Sequence, residues 1–303
     1  MTTTPPSPKN KKPAKFYDLN QCALYRVRSK LRLALLLHTP LPRLFFLANN
    51  DNNYRIFLLP EETCPFTGKV TKERWVQEPK PELRGIHERL QRLLRQVTPP
   101  SYAHAAVKGR SYRSNALAHV TSDRIATFDV KKFYPSTSES RVHNFFADQL
   151  LCAPDVAAIL AKLTCYQGGL PTGSPFSPIL SLYANKPMFE DLGRLALTHA
   201  LKFTCYVDDL TFSGDVLPRG LTALVTNIIE QHGHLISIRK TRIFRQNQGK
   251  HVTGVVLFKN SIHVPHSRFL KARMISVAIK NTKLAAERFL VSSLKCDNSR
   301  YFA

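Results

Sequence analysis

The ten residues from Cys205 to Gly214, CYVDDLTFSG, set two adjacent carboxylates, Asp208 and Asp209, between two runs that read as buried β-strand. Two aspartates between such runs mark a tight turn, because an Asp side chain bonds its own backbone and a hairpin tip keeps both charges in water. A hairpin alone accounts for the pair. Whether the carboxylates also do chemistry depends on what the rest of the chain sets beside them.

One such partner lies upstream. RIATFDVKKFYPS reads as a strand in which Ile125, Thr127 and Asp129 point one way and Ala126, Phe128 and Val130 the other. If this strand and the Asp208-Asp209 hairpin share an antiparallel sheet, three carboxylates converge at one edge. Like charges that close repel strongly in a low dielectric unless a cation neutralises them. Magnesium suits hard oxygen ligands and bridges to phosphates, and two such ions clamp the attacking and leaving oxygens of a phosphoryl displacement. The expected chemistry is nucleotidyl transfer.

Charge points to the same class of partner. The 303 residues carry 44 Lys and Arg against 21 Asp and Glu, a formal net charge of +23. Residues 1–48 hold nine Lys/Arg and one acid, and residues 231–303 hold fourteen and two, so both ends are expected to grip a polyanion, nucleic acid above all. The apolar stretch Leu31 to Ala48 is interrupted by Arg32, Pro40, Pro42 and Arg43, which argues against a membrane span. MTTTPPSPKNKKPAK has no secretory apolar segment and reads as a disordered basic tail. Six scattered cysteines without a Cys-x-x-Cys pair read as reduced core residues of a cytosolic protein.

The pattern along the chain predicts α+β. A basic amphipathic helix is expected from Tyr25 to the Pro40/Pro42 pair, a strand over NYRIFLLP, and an extended RWVQEP. A helix follows with Leu83, Ile86, Leu90, Leu93 and Leu94 on one stripe and Arg and His opposite. Further helices are expected over Ser114 to Val120, Ser140 to Cys165, a long one after GGLPTGSPFSP, and Leu221 to His232. A strand pair, ISIRKTRIF with KHVTGVVLF, and a basic helical tail complete the chain. Strands and helices do not alternate as in a doubly wound fold, and no nucleotide-binding glycine loop is visible.

FDVKKFYPS, GLPTGSPFSPILS, CYVDDLTFSG and ISIRKTRIF come in the order and spacing of the palm motifs of reverse transcriptases, which they resemble. NALAH (Asn115 to His119) and VTG (Val252 to Gly254) are similar to the marks of the retron branch of that family, and the resemblance covers roughly residues 20–275. It implies a right-hand polymerase: a basic tail over 1–19, N-terminal helices and fingers over 20–120, an antiparallel-sheet palm over 121–260 and a short basic thumb over 261–303. Asp129 and Asp208 would bind both magnesium ions, Asp209 would support one of them, and the Val130 carbonyl would complete a site. Tyr134 matches the aromatic steric gate under the sugar of the incoming dNTP. The loop Gly169 to Pro178, with Gly173 at its centre, matches the support of templating base and nucleotide, although Thr172 stands where Gln is usual and Phe176 where Thr is common. Lys240 matches a lysine that protonates pyrophosphate.

Arg74, Lys80 and Arg110 are candidates for holding triphosphate or template. Asn115, His119, Thr253 and Gly254 follow as retron marks on the nucleic-acid side. Arg268, Lys271 and Arg273, with Lys280 and Lys283, suggest a helix face gripping an RNA stem by shape and 2′-hydroxyls. The resemblance further implies a structured noncoding RNA, priming from the 2′-hydroxyl of a guanosine, and a branched multicopy single-stranded DNA. It also implies a bacterial cytoplasm and anti-phage defence through a separately encoded effector. The competing readings are a reverse transcriptase of another bacterial class, group II intron-like, and a non-catalytic RNA-binding protein with a relic palm; intact carboxylates and Tyr134 disfavour the last.

Overall fold

A serine cap and two prolines decide how the N-terminal apolar run folds. Ser29 accepts the Arg32 amide at 3.1 Å and starts α1 (Lys30–Leu37); Pro40 caps α2 (Leu41–Ala48), and the two axes are bent by 91°. The helix is therefore shorter than the predicted one, since residues 25–29 form a turn and an extended step. Among the described residues no single helix is long and apolar enough to cross a membrane; only this bent pair would, by length and composition alone. The protein is seen in a computed structural model that describes residues 16–65, 68 and 70–281; the tail 1–15 and Lys283 lie outside them, as does the side chain of Lys280. The chain is already fixed at Tyr17, whose amide donates to Gln96 and whose carbonyl accepts from Thr98.

β1 (Tyr54–Leu59) leads through the short ribbon of β2 (Glu62–Thr63) and β3 (Val70–Thr71) to β4 (Arg74–Pro79), which pairs back antiparallel from Leu59↔Arg74 to Tyr54↔Pro79. Pro81 opens α3 (Pro81–Leu94), where a missing N–H costs nothing. Its buried stripe holds Leu83, Ile86, Leu90 and Leu94 and also His87, expected on the polar side. His87 is inside because both ring nitrogens are satisfied, Nδ1 with Ser174 Oγ and Nε2 with the Leu163 carbonyl, each at 2.7 Å.

After α4 (Tyr112–Leu117) come β5 (Arg124–Lys131), the single turn α5 (Phe133–Ser136), α6 (Glu139–Asn144) and α7 (Pro154–Thr164), then α8 (Ser177–Ala184) and α9 (Lys186–Thr198). Two expected helices are each broken. Between α6 and α7 the chain widens into a π turn and restarts at Pro154. Between α8 and α9 it breaks at Asn185, whose Nδ2 bonds the Ser181 carbonyl and Thr137 Oγ1 at 2.9 Å each. β6 (Lys202–Tyr206), β7 (Asp209–Gly214), α10 (Leu221–Gln231), β8 (Leu235–Ile236) and β9 (Arg242–Phe244) follow, then β10 (Lys250–Val252), β11 (Val255–Phe258), β12 (Ser261–His263) and α11 (His266–Asn281).

The central sheet is antiparallel in the order β6-β7-β5-β8, with β9 also on β5. The ISIRKTRIF and KHVTGVVLF segments do not pair with each other. The first supplies β8 and β9 to this sheet, and the second folds on itself as the β10–β11 hairpin, turning at Thr253 and Gly254 with positive φ. Period two gives the central sheet two different faces. Ala126, Phe128, Leu210 and Phe212 pack on α9 and α10 through Phe189, Leu192, Val225 and Ile229. The opposite face carries Thr127, Asp129, Asp209, Thr211, Ser213 and Thr204. A second core joins α1, α2, α3, α7 and α8, and a third, small one sets α4 and the β10–β11 hairpin on Ile125. Cys22, Cys152, Cys165 and Cys205 are buried in these cores, as expected; Cys64, half-buried just after β2, belongs to none of them and departs from that expectation, and Cys296 lies outside the described residues.

Among the described residues, three imidazoles are fully enclosed. Burial lowers His87 and His234 to about 4 and His119 to about 3. The unfolded chain takes up these protons near pH 6.5, whereas the folded chain does not. The neutral imidazoles thus support the fold fully above pH 6.5, and that support is lost as pH falls toward 4. Each unmatched proton contributes a slope of about 1.4 kcal/mol per pH unit. Half-buried His104, lowered to about 4 by burial, adds to this slope, while Asp209, raised to about 7, and Asp208, also raised, work in the opposite direction. Urea midpoints are therefore expected to fall between pH 6.5 and 4, and His119→Gln to remove one proton from the slope; an unchanged slope in that variant would refute the buried neutral state.

Candidate active site

Strand register builds the carboxylate cluster. Asp129 of β5 and Asp209 of β7 are direct cross-strand partners and share a face, while Asp208 occupies the β6–β7 tip just before Asp209. The tip has two residues, and the first, Val207, adopts φ 59°, a left-handed conformation that costs a β-branched residue energy. The Val130 amide donates to the Asp208 carbonyl at 3.0 Å, and the Ser237 amide to the Asp129 carbonyl at 2.8 Å, which locks tip, strand and β8 together. Asp129 is only 7% exposed.

The electrostatics are those of an undercompensated anion site. Burial, then the Asp208 and Asp129 charges, push Asp209 up to about 7; burial and then Asp129 push Asp208 up as well. The nearest counter-charge is Lys240, whose Nζ donates to Asp129 Oδ2 at 2.7 Å and whose pKa that bond raises. Among the described residues no three His, Cys, Asp or Glu side chains close around a common point as the ligands of one ion would. The expected convergence is thus of neighbouring charges, with Asp129 engaged by an ammonium. The chemistry of the donors still fits a divalent cation: hard carboxylate oxygens on a rigid edge, two of them held above their ordinary pKa by burial and then by neighbouring carboxylate charge.

Tyr134 stands beside this edge in α5, packed against both large cores, and its phenol is raised by burial and then by the charges of Asp208 and Tyr206. Its surroundings fix it. The Leu170 amide donates to the Tyr134 carbonyl at 3.1 Å, and a Cβ on Gly169 would come to 2.4 Å from the Pro135 oxygen. Ser136 Oγ, His234 and Asn185 continue the support as a buried chain of hydrogen bonds, 2.7 and 2.8 Å long. This Ser136–His234–Asn185 chain escapes sequence reading because its members are far apart and belong to no motif.

The loop before α8 docks on β4. Gly173 donates its amide to the Gln77 carbonyl at 3.1 Å, and a Cβ there would meet that oxygen at 2.7 Å. The two departures from the family pattern have structural uses: Thr172 Oγ1 bonds Gln77 Oε1 at 3.0 Å and the Trp75 carbonyl at 3.2 Å, and Phe176 is fully buried against His87. Gln77 and Trp75, the latter 60% exposed, belong to no motif, and in the sequence only the lone Trp among Arg and Glu signals them.

The remaining candidates are scattered. Arg74 is exposed at the start of β4, and Lys80 Nζ donates to Asn52 Oδ1 at 2.9 Å. Arg110 is turned inward: its Nη1 donates to the carbonyls of Pro100, Ser101 and Ala103, which clamps the loop before α4. Asn115 and His119 are fully buried. Asn115 Nδ2 bonds Thr253 Oγ1 at 3.3 Å, and His119 bridges Ser213 Oγ at 2.6 Å and Thr204 Oγ1 at 2.7 Å, so the NALAH and VTG segments touch each other, and NALAH touches the same sheet face that carries the carboxylates. A Cβ on Gly254 would meet the Arg268 guanidinium at 3.0 Å, and Arg268 also lies over the Tyr112 ring. Arg268 and Lys271 share a stripe of α11, but Lys271 and Arg273, two residues apart, are separated by about 200° around it.

No protein-family model matches the chain. The Retron Se72 reverse transcriptase of Salmonella heidelberg (strain 579083-10) is 33% identical over 153 residues, 49% of this chain and 40% of that protein. The Retron Ec86 reverse transcriptase of Escherichia coli is 25% identical over 226 residues, 74% of this chain and 69% of the relative. The Retron Mx65 reverse transcriptase of Myxococcus xanthus is 31% identical over 206 residues, covering 61% and 48%. The chain thus spans well under two thirds of the Se72 and Mx65 proteins. Among solved structures, a telomerase from Candida albicans has a TM-score of 0.49 at 14% identity, covering 71% of this chain and 46% of that one. Motifs and relatives agree: by sequence, the chain is similar to retron reverse transcriptases over part of their length.

Proposed function

We propose that the protein is an RNA-directed DNA polymerase of the retron type. The observation that carries this reading is the register: Asp129 opposite Asp209, with Asp208 on the adjoining rigid tip and Tyr134 beside them. In this reading residues 20–120 serve as fingers, 121–260 as palm and the segment from 261 as thumb. Asp129, Asp208 and Asp209 would hold two magnesium ions, which when bound would supply charge neutralisation at the phosphates and a more acidic primer hydroxyl. The primer hydroxyl attacks the α-phosphate of a dNTP while the protein keeps sugar and template in line. Tyr134 lies under the sugar, the Gly173 loop backs the templating pair, and Lys240, once off Asp129, protonates the leaving pyrophosphate. Arg74 and Lys80 face phosphates from the fingers. Asn115, His119, Thr253 and Arg110, being enclosed, act by holding the surfaces that meet RNA.

The finer reading extends the resemblance to the retron family. The template is a structured noncoding RNA, synthesis starts from a 2′-hydroxyl within it, and the branched RNA–DNA product restrains a separately encoded effector in anti-phage defence. Purified protein is expected to incorporate dNTPs on a primed RNA only when magnesium is present; no incorporation on any primed RNA overturns the polymerase reading. Sequencing the nucleic acid that copurifies, after RNase treatment, is expected to yield one short DNA species. A heterogeneous RNA mixture with no such DNA overturns the retron assignment.

A further inference from the structure

A second concave surface lies away from the carboxylates, where Phe16 and Tyr17 meet the end of α3. It encloses about 520 Å³ and is lined by Phe16, Tyr17, Arg89, Arg92, Arg95 and Lys108 among others. That volume is in the range of about 300–1,000 Å³ typical of clefts that take small ligands. Its lining is unusual for a structural hollow: four cations, two aromatic rings and no carboxylate. Arg92, Arg95 and Lys108 are exposed, and none of them takes part in an ion pair among the described residues.

The walls are built, not loose. Tyr17 is fastened to α3 by its hydroxyl on the Leu93 carbonyl at 3.0 Å and by its backbone to Gln96 and Thr98. Arg89 is aimed by Nε on the Leu36 carbonyl at 2.9 Å. Phe16 remains 39% exposed at the rim. Lys108 comes from the loop that Arg110 clamps, and that loop is zipped to β6 by His104 N–H to the Cys205 carbonyl and Cys205 N–H to the Tyr102 carbonyl. Cys205 is four residues from Asp209, so the cleft and the catalytic edge share one rigid connection.

We propose that this cleft is a binding site for a single-stranded polynucleotide, its cations on successive phosphates and an unpaired base stacked on Phe16. Clustered cations with interleaved aromatic rings are the chemistry by which single strands are held without regard to sequence. The inference rests on the nucleic-acid reading above and extends it to a site outside the carboxylate edge. The phosphodiester and the unstacked base are common to RNA and single-stranded DNA, and either strand supplies them.

The test is fluorescence anisotropy of the full chain with a short labelled single strand, as RNA and as DNA of the same sequence. An Arg92→Ala, Arg95→Ala, Lys108→Ala variant is expected to bind about tenfold or more weakly, with the slope of log affinity against log salt reduced by about 2. Phe16→Ala is expected to lose about tenfold against a base-bearing strand and nothing against an abasic one. Equal melting temperatures establish that the variants are folded. Unchanged affinity and slope in the triple variant would mean that the arginines serve only the C-terminal dipole of α3 and overturn the site; an equal loss with the abasic strand overturns the stacking. The RNA and DNA arms assign the strand. Primer extension on a short annealed hybrid, run beside it, separates the two readings: extension unaffected in the variants leaves the cleft distinct from the polymerase site, and strand binding without extension by the unaltered chain overturns the polymerase alone.

Discussion

An Asp208→Asn, Asp209→Asn double variant is expected to lose dNTP incorporation by at least about a thousandfold, while becoming more stable than the unaltered chain when no divalent cation is present. The two halves have one cause. Asp209 has its pKa moved from 3.8 to about 7 by burial and by its two carboxylate neighbours, so ionising it in the folded chain costs roughly 4 kcal/mol more than in water. Asn keeps the size and the hydrogen-bonding tip of Asp but carries no charge, and Asp129 keeps its bond to Lys240. The repulsion disappears and with it the capacity to hold a cation. Thermal melts in chelator at pH 8 should show the variant several degrees above the unaltered chain. Adding magnesium should raise the melting temperature of the unaltered chain and leave the variant where it was. Because the strain is present only while Asp209 is ionised, the gain should shrink as pH falls through 7. Incorporation by the double variant at the unaltered rate would remove these carboxylates from the chemistry.

How far the sequence revealed this site depended on the range of the contacts involved. The strand with Asp129 and the hairpin with Asp208 and Asp209 are written in local alternation and turn residues, and the structure joins them in the expected antiparallel sheet. The breaks at Pro154 and Asn185 are not local in this sense. The apolar pattern runs through both, and the second depends on a side chain bonded to Thr137, 48 residues away. The buried polar groups were the least legible. His119 looks like a surface residue of a short helix until Ser213 and Thr204, 94 and 85 residues distant, supply both of its partners. Arg110 carries a charge that suggests phosphate, yet three backbone carbonyls claim it. Thr172 and Phe176, departures from the family pattern when seen alone, make sense only beside Gln77 and His87.

Replacing Tyr134 by Val is expected to relax the choice between deoxyribonucleotides and ribonucleotides, and Phe at the same position is expected to retain it. The ring is held by the turn of α5, the backbone at Gly169 behind it, the Ser136–His234–Asn185 chain and its packing between two cores, which resists its swinging aside for a bulkier sugar. A wall that rejects one added hydroxyl by contact is worth roughly a hundredfold in kcat/KM, and removing the wall forfeits most of it. The phenolic oxygen plays no part in this argument. Its pKa is raised by burial and by Asp208, so it stays neutral at any working pH, and the Phe variant isolates the ring from the hydroxyl. The measurement is the ratio of kcat/KM for dGTP over GTP on the same primed RNA in the three proteins, with melting temperatures alongside because Tyr134 also bridges two cores. A Val variant that loses stability but keeps the ratio would reduce Tyr134 to a packing residue. A ratio that collapses in Val and survives in Phe places the sugar of the incoming nucleotide on this ring, and with it the direction from which the triphosphate meets Asp129, Asp208 and Asp209.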